Sequence, residues 1–337
     1  MNILIPDFID VEIPDTEREV AGDGAAIVTL RERLPERVGE AIWSAADAVI
    51  SWGYMPFDGA TIARMTRCRA IVAAMVGYDH IDIAAAGNRG IAVCNVPDYG
   101  TTEIADHAIA LMLALRRGIA SFQDALRADP RVGWRFDAAP LIGRSRGKRF
   151  GVVGLGAIGT AAALRAGALG MTVSFHDPFA RAGLDLALGF ERRHDLDELL
   201  AEADVVSLHA LLTDATRGLI GRAALARMKP GAILINTARG AIVDLDALHD
   251  ALREGRLGGA GLDVLPNEPP DPDHPLIAAW RRRESWLDGR LLITPHAAFY
   301  SAEGIVDLRR KSVEAAVAMV RHGRPINCVN RHLMPTG

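Results

Sequence analysis

Cysteine is nearly absent from this chain of 337 residues, which carries only Cys68, Cys94 and Cys328. Their positions show neither metal-ligand nor redox spacing, so no metal cluster or thiol redox centre is indicated. They read as reduced thiols of a cytoplasmic protein. An excess of positive charge is also missing: 38 Lys and Arg stand against 42 Asp and Glu, a formal net charge of −4. A nucleic-acid partner therefore has no electrostatic support. The basic runs Arg144-Ser145-Arg146-Gly147-Lys148-Arg149 and Arg281-Arg282-Arg283 are short and read as solvated loops. No uncharged run reaches the roughly 20 residues that a membrane helix needs. Ala105–Leu115 is too short for one and contains Asp106 and His107. Met1–Pro6 is apolar but is followed by Asp7 and Asp10, so it reads as a first strand and not as a secretion signal.

What is present is an ordinary globular composition, 50% hydrophobic and 24% charged, in a chain long enough for two domains with separate cores. Short apolar runs alternate with helical patterns, which argues for parallel sheets covered by helices. Candidate strands in the first third are Ile3–Ile5, Ala26–Leu30, Ala48–Ile50, Ala70–Ala74 and Ala92–Cys94, with helical stretches such as Gly59–Thr66 and Ile81–Asn88 between them. Thr101–Arg117 is the longest clear helix, with Glu103 in its first turn and Arg116 and Arg117 in its last. A second series follows at Arg149–Val153, Thr172–His176, Val205–Leu208, Ala232–Asn236, Gly259–Asp263 and Leu291–Thr294, six strands as in a complete dinucleotide-binding sheet. A last helix, Ala302–His322, has no strand after it and is expected to pack back on the first unit. The expected fold is α/β, two doubly wound parallel-sheet domains: 1–100 plus 298–337, discontinuous, and 101–297.

Arg149–Val153 runs straight into Gly154-Leu155-Gly156-Ala157-Ile158-Gly159, and an Ala-rich helix follows. A glycine triplet alone is weak evidence, but between a strand and a helix it reads as a dinucleotide loop. Gly154 permits the tight turn, Gly156 lets the backbone approach a pyrophosphate, and Gly159 allows close helix–strand packing. The N–H groups of Ala157 and Ile158 face the phosphates. Asp177 lies about 20 residues on, where an acid accepts hydrogen bonds from the adenosine ribose and repels a 2′-phosphate. NAD is thus favoured over NADP, although Arg181 is close by. The plainer alternative is a turn residue before Pro178.

Three later motifs each offer one reactive side chain at a strand end: Asn236-Thr237-Ala238-Arg239-Gly240, Asp263-Val264-Leu265-Pro266-Asn267-Glu268-Pro269 and Thr294-Pro295-His296-Ala297-Ala298. Ligands of open α/β sheets bind beyond the carboxyl ends of the strands. Arg239 can clamp a carboxylate with two parallel hydrogen bonds. His296 suits a reversible proton transfer, and Glu268 on its other nitrogen would set the tautomer and favour the imidazolium. Each residue alone is more often structural; the three together after a nucleotide loop describe reduction of a 2-oxo acid. His107 and His249 lie on helical patterns, and His80, His194, His274, His322 and His332 have no metal-spaced partners, so no metal is expected.

These residues resemble the D-isomer-specific 2-hydroxyacid dehydrogenase family over nearly the whole chain. The likeness includes Val76-Gly77-Tyr78-Asp79, Cys94-Asn95-Val96-Pro97, Ala105-Asp106-His107, Val206-Ser207-Leu208-His209 and the motifs above. The stretches Thr294–Ser301 and Asn327–Asn330 look most like the branch that contains the C-terminal-binding-protein co-repressors and their bacterial relatives. The resemblance implies a flavodoxin-like substrate domain and a Rossmann NAD domain with a cleft between them, and a homodimer formed through a helical arm at 103–145. It implies NAD contacts at Thr101, Ala157, Ile158, Asp177, His209, Ala210, Thr216, Thr237, Ala238, Arg239, Asp263, His296 and Ala298. Backbone N–H groups at Val76 and Gly77 would hold the substrate carboxylate.

Three departures from the family pattern stand out. Ala73-Ala74-Met75 and His80 flank the Val-Gly pair with unusual residues, Leu211 replaces a usual proline, and Trp280–Arg290 is long and charged. That last segment is open to reading as a lid, a dimer contact or, the plainest, a solvated loop. Trp52, Tyr54, Met55 and Phe299 are expected to line the substrate, favouring an apolar or thioether 2-oxo acid, unless the aromatics are core. Two other functional classes stay open: a NAD-sensing binding protein with little turnover, and a phosphite- or formate-type dehydrogenase.

Overall fold

The computed structural model describes residues 1–8 and 15–335 and divides the chain into two compact units, Met1–Gly100 with Tyr300–Gly337, and Thr101–Phe299. Asp10 falls outside the described residues. The return crossing lies after Phe299, two residues later than the 298 boundary read from the sequence. The physical reason is Asp263, whose carboxylate accepts the N–H of Ala298 at 2.9 Å and so keeps that residue with the second unit.

In unit 1 the strands β1 (Asn2–Ile5), β2 (Ala26–Thr29), β3 (Ala48–Ser51), β4 (Ala70–Ala73) and β5 (Ala92–Asn95) form one parallel sheet in the order β2-β1-β3-β4-β5. This is a flavodoxin-like doubly wound order. The residues of β3, β4 and β5 are buried on both faces, which is why they read as continuous apolar runs without alternation. The long helix Ala302–His322 begins at Ser301, whose hydroxyl accepts the N–H of Gly304, and packs against the helix Asp15–Ala21 and against β3 and β4. There Arg309 grips Glu17 with two hydrogen bonds of 2.8 and 2.7 Å, both side chains buried. Removing one partner of such a pair strands a charge and costs about 3–5 kcal/mol.

Unit 2 holds seven strands, not six. They are β6 (Arg149–Val153), β7 (Thr172–His176), β8 (Glu191–Arg192), β9 (Val205–Leu208), β10 (Ile233–Asn236), β11 (Gly259–Leu262) and β12 (Leu291–Ile293), in the order β12-β11-β10-β9-β6-β7-β8. The strand missed by sequence reading is β8. It has two residues, both charged, so it offers no apolar run. Arg149 on β6 meets Glu191 on β8 at 2.6 Å and supports that edge. The sheet order is that of a Rossmann domain with one strand added at the far edge. β6 and β9 are parallel neighbours at which the strand order reverses, and the loops after these two strands define the switch point at which such sheets bind ligands.

The segment 280–290 is not a solvated loop. The helix Pro275–Arg281 enters it, Leu287 is 3% exposed, and Trp286 packs against the core with its ring edge-on to His249. Arg290 donates to the carbonyls of Gly258 and Trp286 at 2.7 and 2.8 Å, tying the segment to β11. Its charges are the visible face of an anchored connection. Among the described residues no helix is long and apolar enough to cross a membrane.

Candidate active site

The glycine loop has the shape that its spacing anticipates. Gly154 has φ +90° and abuts the backbone of Ala210 after β9, so a side chain there would be strained and would collide. Gly159 faces the carbonyl of Gly154 with no room for a Cβ. At Gly156, by contrast, an added Cβ would meet nothing within 4 Å. The helix Ala157–Ala168 starts at this open point, with its first N–H groups unpaired within the helix. Asp177 at the end of β7 turns back onto the loop. Its carboxylate accepts the N–H of Leu155 at 2.8 Å and that of Phe179 at 2.8 Å. Each oxygen keeps a second lone-pair direction for another donor.

Three buried polar atoms, His209 Nδ1 just past β9, Thr237 Oγ1 just past β10 and Thr101 Oγ1 at the start of the helix Thr101–Arg117, have no hydrogen-bond partner among the described residues. Buried polar groups are normally satisfied, so these three fit a polar ligand. His209 donates its backbone N–H to Val153 O at 2.8 Å, and its Nε2 meets Ser207 Oγ at 2.9 Å. Burial pushes its imidazole pKa down to about 4, so the ring is neutral near pH 7. The turn after β9, where Leu211 stands, is held by the side chain of Thr216. Thr216 donates from its hydroxyl to Leu211 O at 2.6 Å and accepts from Thr213 N at 2.8 Å.

The three strand-end motifs come together through backbone contacts. Asn236, fully buried at the end of β10, accepts from Ala238 N and donates to Arg239 O, both at 3.0 Å, and so folds the Arg239 turn. Gly240 then passes so close to the Leu265–Pro266 peptide that a Cβ could not fit. That approach brings the arginine loop against the glutamate loop. Glu268 accepts from Leu265 N at 2.9 Å through Oε1, and its Oε2 lies 2.7 Å from His296 Nδ1. Burial pushes the Glu268 carboxyl up, but the hydrogen bond and charge of His296, the Leu265 amide and the Arg239 charge outweigh it and hold its pKa below the usual value. Glu268 is therefore ionised near neutrality, and Nδ1 of His296 carries the shared proton. Nε2 is the ring nitrogen that Glu268 does not engage.

His296 sits in the left-handed region at φ 53°, a conformation that a histidine adopts only when it is held. Asp263 supplies the hold. Its carbonyl accepts His296 N at 2.7 Å, and its buried carboxylate accepts Ala297 N and Ala298 N, each at 2.9 Å, and the Thr294 hydroxyl at 2.6 Å. His107, on the helix Thr101–Arg117, reaches the same cluster with Nε2 2.9 Å from Thr294 Oγ1. Sequence reading left His107 as an ordinary helical residue. Its sequence distance from Thr294 gives no local pattern that could have linked them. Phe299 lies edge-on to the His296 ring at 6.1 Å.

A profile of the NAD-binding domain of D-isomer-specific 2-hydroxyacid dehydrogenases matches residues 109–298. The chain is 37% identical to a glyoxylate reductase of Korarchaeum cryptofilum over 86% of this chain and 84% of that one. It belongs to the D-isomer-specific 2-hydroxyacid dehydrogenase family. A glycerate dehydrogenase of Methylorubrum extorquens is 36% identical over 88% of both chains. The structure of an Aquifex aeolicus D-lactate dehydrogenase complexed with NAD and lactic acid superimposes with a TM-score of 0.82 at 28% identity, covering 95% of this chain and 96% of that one. As a member of this family the chain is an NAD-dependent oxidoreductase that interconverts 2-oxo and 2-hydroxy acids, and the geometry of the glycine loop and the unpartnered buried polar atoms agree with that assignment.

In unit 1 the expected substrate wall is only partly present. Met55 is 1% exposed and belongs to the core with Trp43 and Phe57. Trp52 is packed edge-on to Phe8, its backbone N–H held by the buried carboxylate of Asp7 at 3.0 Å, which leaves little of its ring to meet a substrate. Tyr54 is exposed, under the guanidinium of Arg33. The Val76-Gly77 turn is steadied by Asn95, which donates to Val76 O at 2.7 Å. The unusual His80 meets Ser51 Oγ at 3.0 Å, and Ser51 in turn contacts Asp7 at 3.2 Å.

Proposed function

We propose that Arg239, Glu268 and His296 are the reacting residues of this dehydrogenase, and that its substrates are short 2-oxo acids. A bound NADH supplies the hydride. His296 delivers the proton from Nε2 to the substrate oxygen as the carbonyl is reduced, and takes it back in the reverse direction. Glu268 keeps Nδ1 protonated and stabilises the imidazolium. Arg239 binds the carboxylate, with the carbonyl oxygen within the reach of its fork. The observation that carries this reading is the 2.7 Å contact between Glu268 and His296, on a histidine held in a strained backbone conformation.

The cofactor is held by Gly154, Gly156, Ala157, Ile158, Gly159 and Asp177 on one side of the switch point, and by His209, Ala210, Thr216, Thr237, Ala238, Asp263 and Ala298 on the other, with Thr101 at the start of its helix. Residues 101–299 thus form the NAD domain. Residues 1–100 and 300–337 form the substrate domain, where the amides of Val76 and Gly77 bind carboxylate. With Met55 in the core and Trp52 packed away, Tyr54 and Phe299 remain of the expected apolar wall. Two relatives named glyoxylate reductase and glycerate dehydrogenase support a short acid, so glyoxylate and hydroxypyruvate head the list. The protein works as a cytoplasmic homodimer.

The test is NADH oxidation by the purified protein on a panel of 2-oxo acids, with His296→Ala as control. Turnover of a short acid that falls by roughly 10²–10⁴-fold in the variant while NADH affinity holds supports the assignment. Equal rates in parent and variant would remove His296 from the chemistry. Tight NADH binding without turnover on any acid would favour a NAD-sensing binding protein.

A further inference from the structure

Beyond the helix Ala302–His322 the chain lies antiparallel along β5. Val329 N donates to Val93 O at 2.9 Å, and Asn95 N donates to Asn327 O at 3.3 Å. These two bonds bracket Cys94 and Cys328, which face each other as a bridge pair. A pair flanked in this way is of the kind without hydrogen bonds of its own, with Cα atoms about 4.5 Å apart and side chains at their closest. That separation lies inside the roughly 4.4–6.8 Å at which disulfides form. Two cysteines 234 residues apart in sequence are thereby placed as a disulfide requires, a relationship that their spacing concealed.

We propose that Cys94 and Cys328 are a redox-sensitive pair, closed to a disulfide by hydroperoxide and reopened by thiols, which locks the C-terminal segment onto β5. The pair is asymmetric. Cys94 is fully buried, and burial pushes its thiol up to about 12. Cys328 is half-buried, with its S–H directed at Asn330 Oδ1 at 3.3 Å. Cys328 is therefore the sulfur that meets the oxidant. Its sulfur attacks one peroxide oxygen, the O–O bond breaks, and the products are Cys328 sulfenic acid and one water. The sulfur of Cys94 then attacks that of Cys328; the S–O bond breaks and the departing hydroxide takes the Cys94 proton as a second water. Two thiols are oxidised, one peroxide is reduced, and two waters leave.

The segment is already pinned at its far side. Asn330 is fully buried, accepts Val93 N at 2.8 Å and donates to Ile91 O at 3.0 Å. The disulfide adds a covalent clasp beside this one. Asn95, next to Cys94, steadies the Val76-Gly77 turn, so the clasp lies on the strand that supports it. Cys68 takes no part: it is buried and donates to Ala70 O at 3.1 Å. The proposal stands independently of the catalytic assignment.

The test uses the full chain treated with hydrogen peroxide, alkylated after unfolding in denaturant, and digested with trypsin without reductant. The expected product joins Gly90–Arg116 to His322–Arg331, two hydrogens lighter than the sum, and is separated by dithiothreitol. Cys68→Ser should give the same product and Cys328→Ser none. The oxidised parent and Cys68→Ser should melt a few degrees higher than when reduced, and Cys328→Ser should show no such difference. Cys94 left alkylatable while Cys328 goes on to sulfinic acid, or a bond between Cys328 residues of two chains, overturns the proposal.

Discussion

The hydroxyl of Thr294 donates to the carboxylate of Asp263 at 2.6 Å, and that bond decides the state of a third residue. A hydroxyl has one proton to give. With it committed to Asp263, Thr294 Oγ1 must accept from His107, 2.9 Å away, so His107 carries a hydrogen on Nε2. The chain His107–Thr294–Asp263 ends on the amides of Ala297 and Ala298 and the N–H of His296. A helix is thereby coupled to the loop that presents His296.

His107→Phe should keep the ring and lose the donor. We expect kcat for 2-oxo acid reduction to fall about tenfold with a smaller change in KM, because misplacing a reacting group by a fraction of an ångström costs rate before binding. His107→Gln, which keeps an N–H, should recover most of the loss. Steady-state kinetics of the two variants decide the matter; an unaltered kcat in the Phe variant removes His107 from the positioning of His296.

Glu268→Gln keeps the shape of the side chain and removes its charge. The imidazolium then loses the partner that favours it. Reduction should slow by roughly 10²-fold, and its activity should fade at a lower pH than in the parent. The parent should keep Glu268 ionised down to acidic pH, since its carboxyl is held below the usual value. A pH–rate profile for each protein tests this, and coincident alkaline limbs would separate Glu268 from the proton transfer.

Much of this machinery was legible because it is local. Gly154, Gly156 and Gly159 lie within six residues after an apolar strand, and Arg239, Glu268 and His296 each follow a strand end. What stayed hidden depends on contacts distant in sequence or too short to make a pattern. His107 meets Thr294 across 187 positions, β8 has two residues, and Cys94 finds Cys328 only after the chain has folded. Met55 and Trp52 were misplaced for another reason: an apolar residue in a loop has the same sequence signature whether it faces a ligand or the core.

Asp177→Asn should change the choice of cofactor. The carboxylate sits on the glycine loop, where its charge would oppose a 2′-phosphate. The amide oxygen can still accept Leu155 N. We expect the ratio of kcat/KM with NADH to that with NADPH to fall by about tenfold. An unchanged ratio would leave Asp177 as a loop-shaping residue only.

His209 gives unit 2 a vulnerability to acid. An unfolded histidine has a pKa near 6.5, while burial holds this one at about 4. Between these values the unfolded chain binds the extra proton, so stability is lost as pH falls through that window. The loss should be about 1–3 kcal/mol. His209→Gln should melt with a smaller decline between about pH 7 and pH 4.5, followed by thermal denaturation. Equal declines would assign the acid sensitivity elsewhere.

The arm after Thr101–Arg117 carries exposed apolar side chains, and the proposed homodimer would cover them. Val132 is 67% exposed, Trp134 81% and Phe136 91%, with Ile119 and Ile142 exposed nearby in sequence. A contiguous patch of large exposed apolar side chains is uncommon on a monomer's surface and marks association. A twofold interface would bury the same residues of each chain against the other's arm. Trp134→Glu with Phe136→Glu places two charges where the partner would strip their water, at a cost of several kcal/mol to association and none to either sheet. The parent should sediment as a dimer at micromolar concentration and the double variant as a monomer with its secondary structure intact. A parent that sediments as a monomer would leave the arm's apolar surface without the occupant proposed for it.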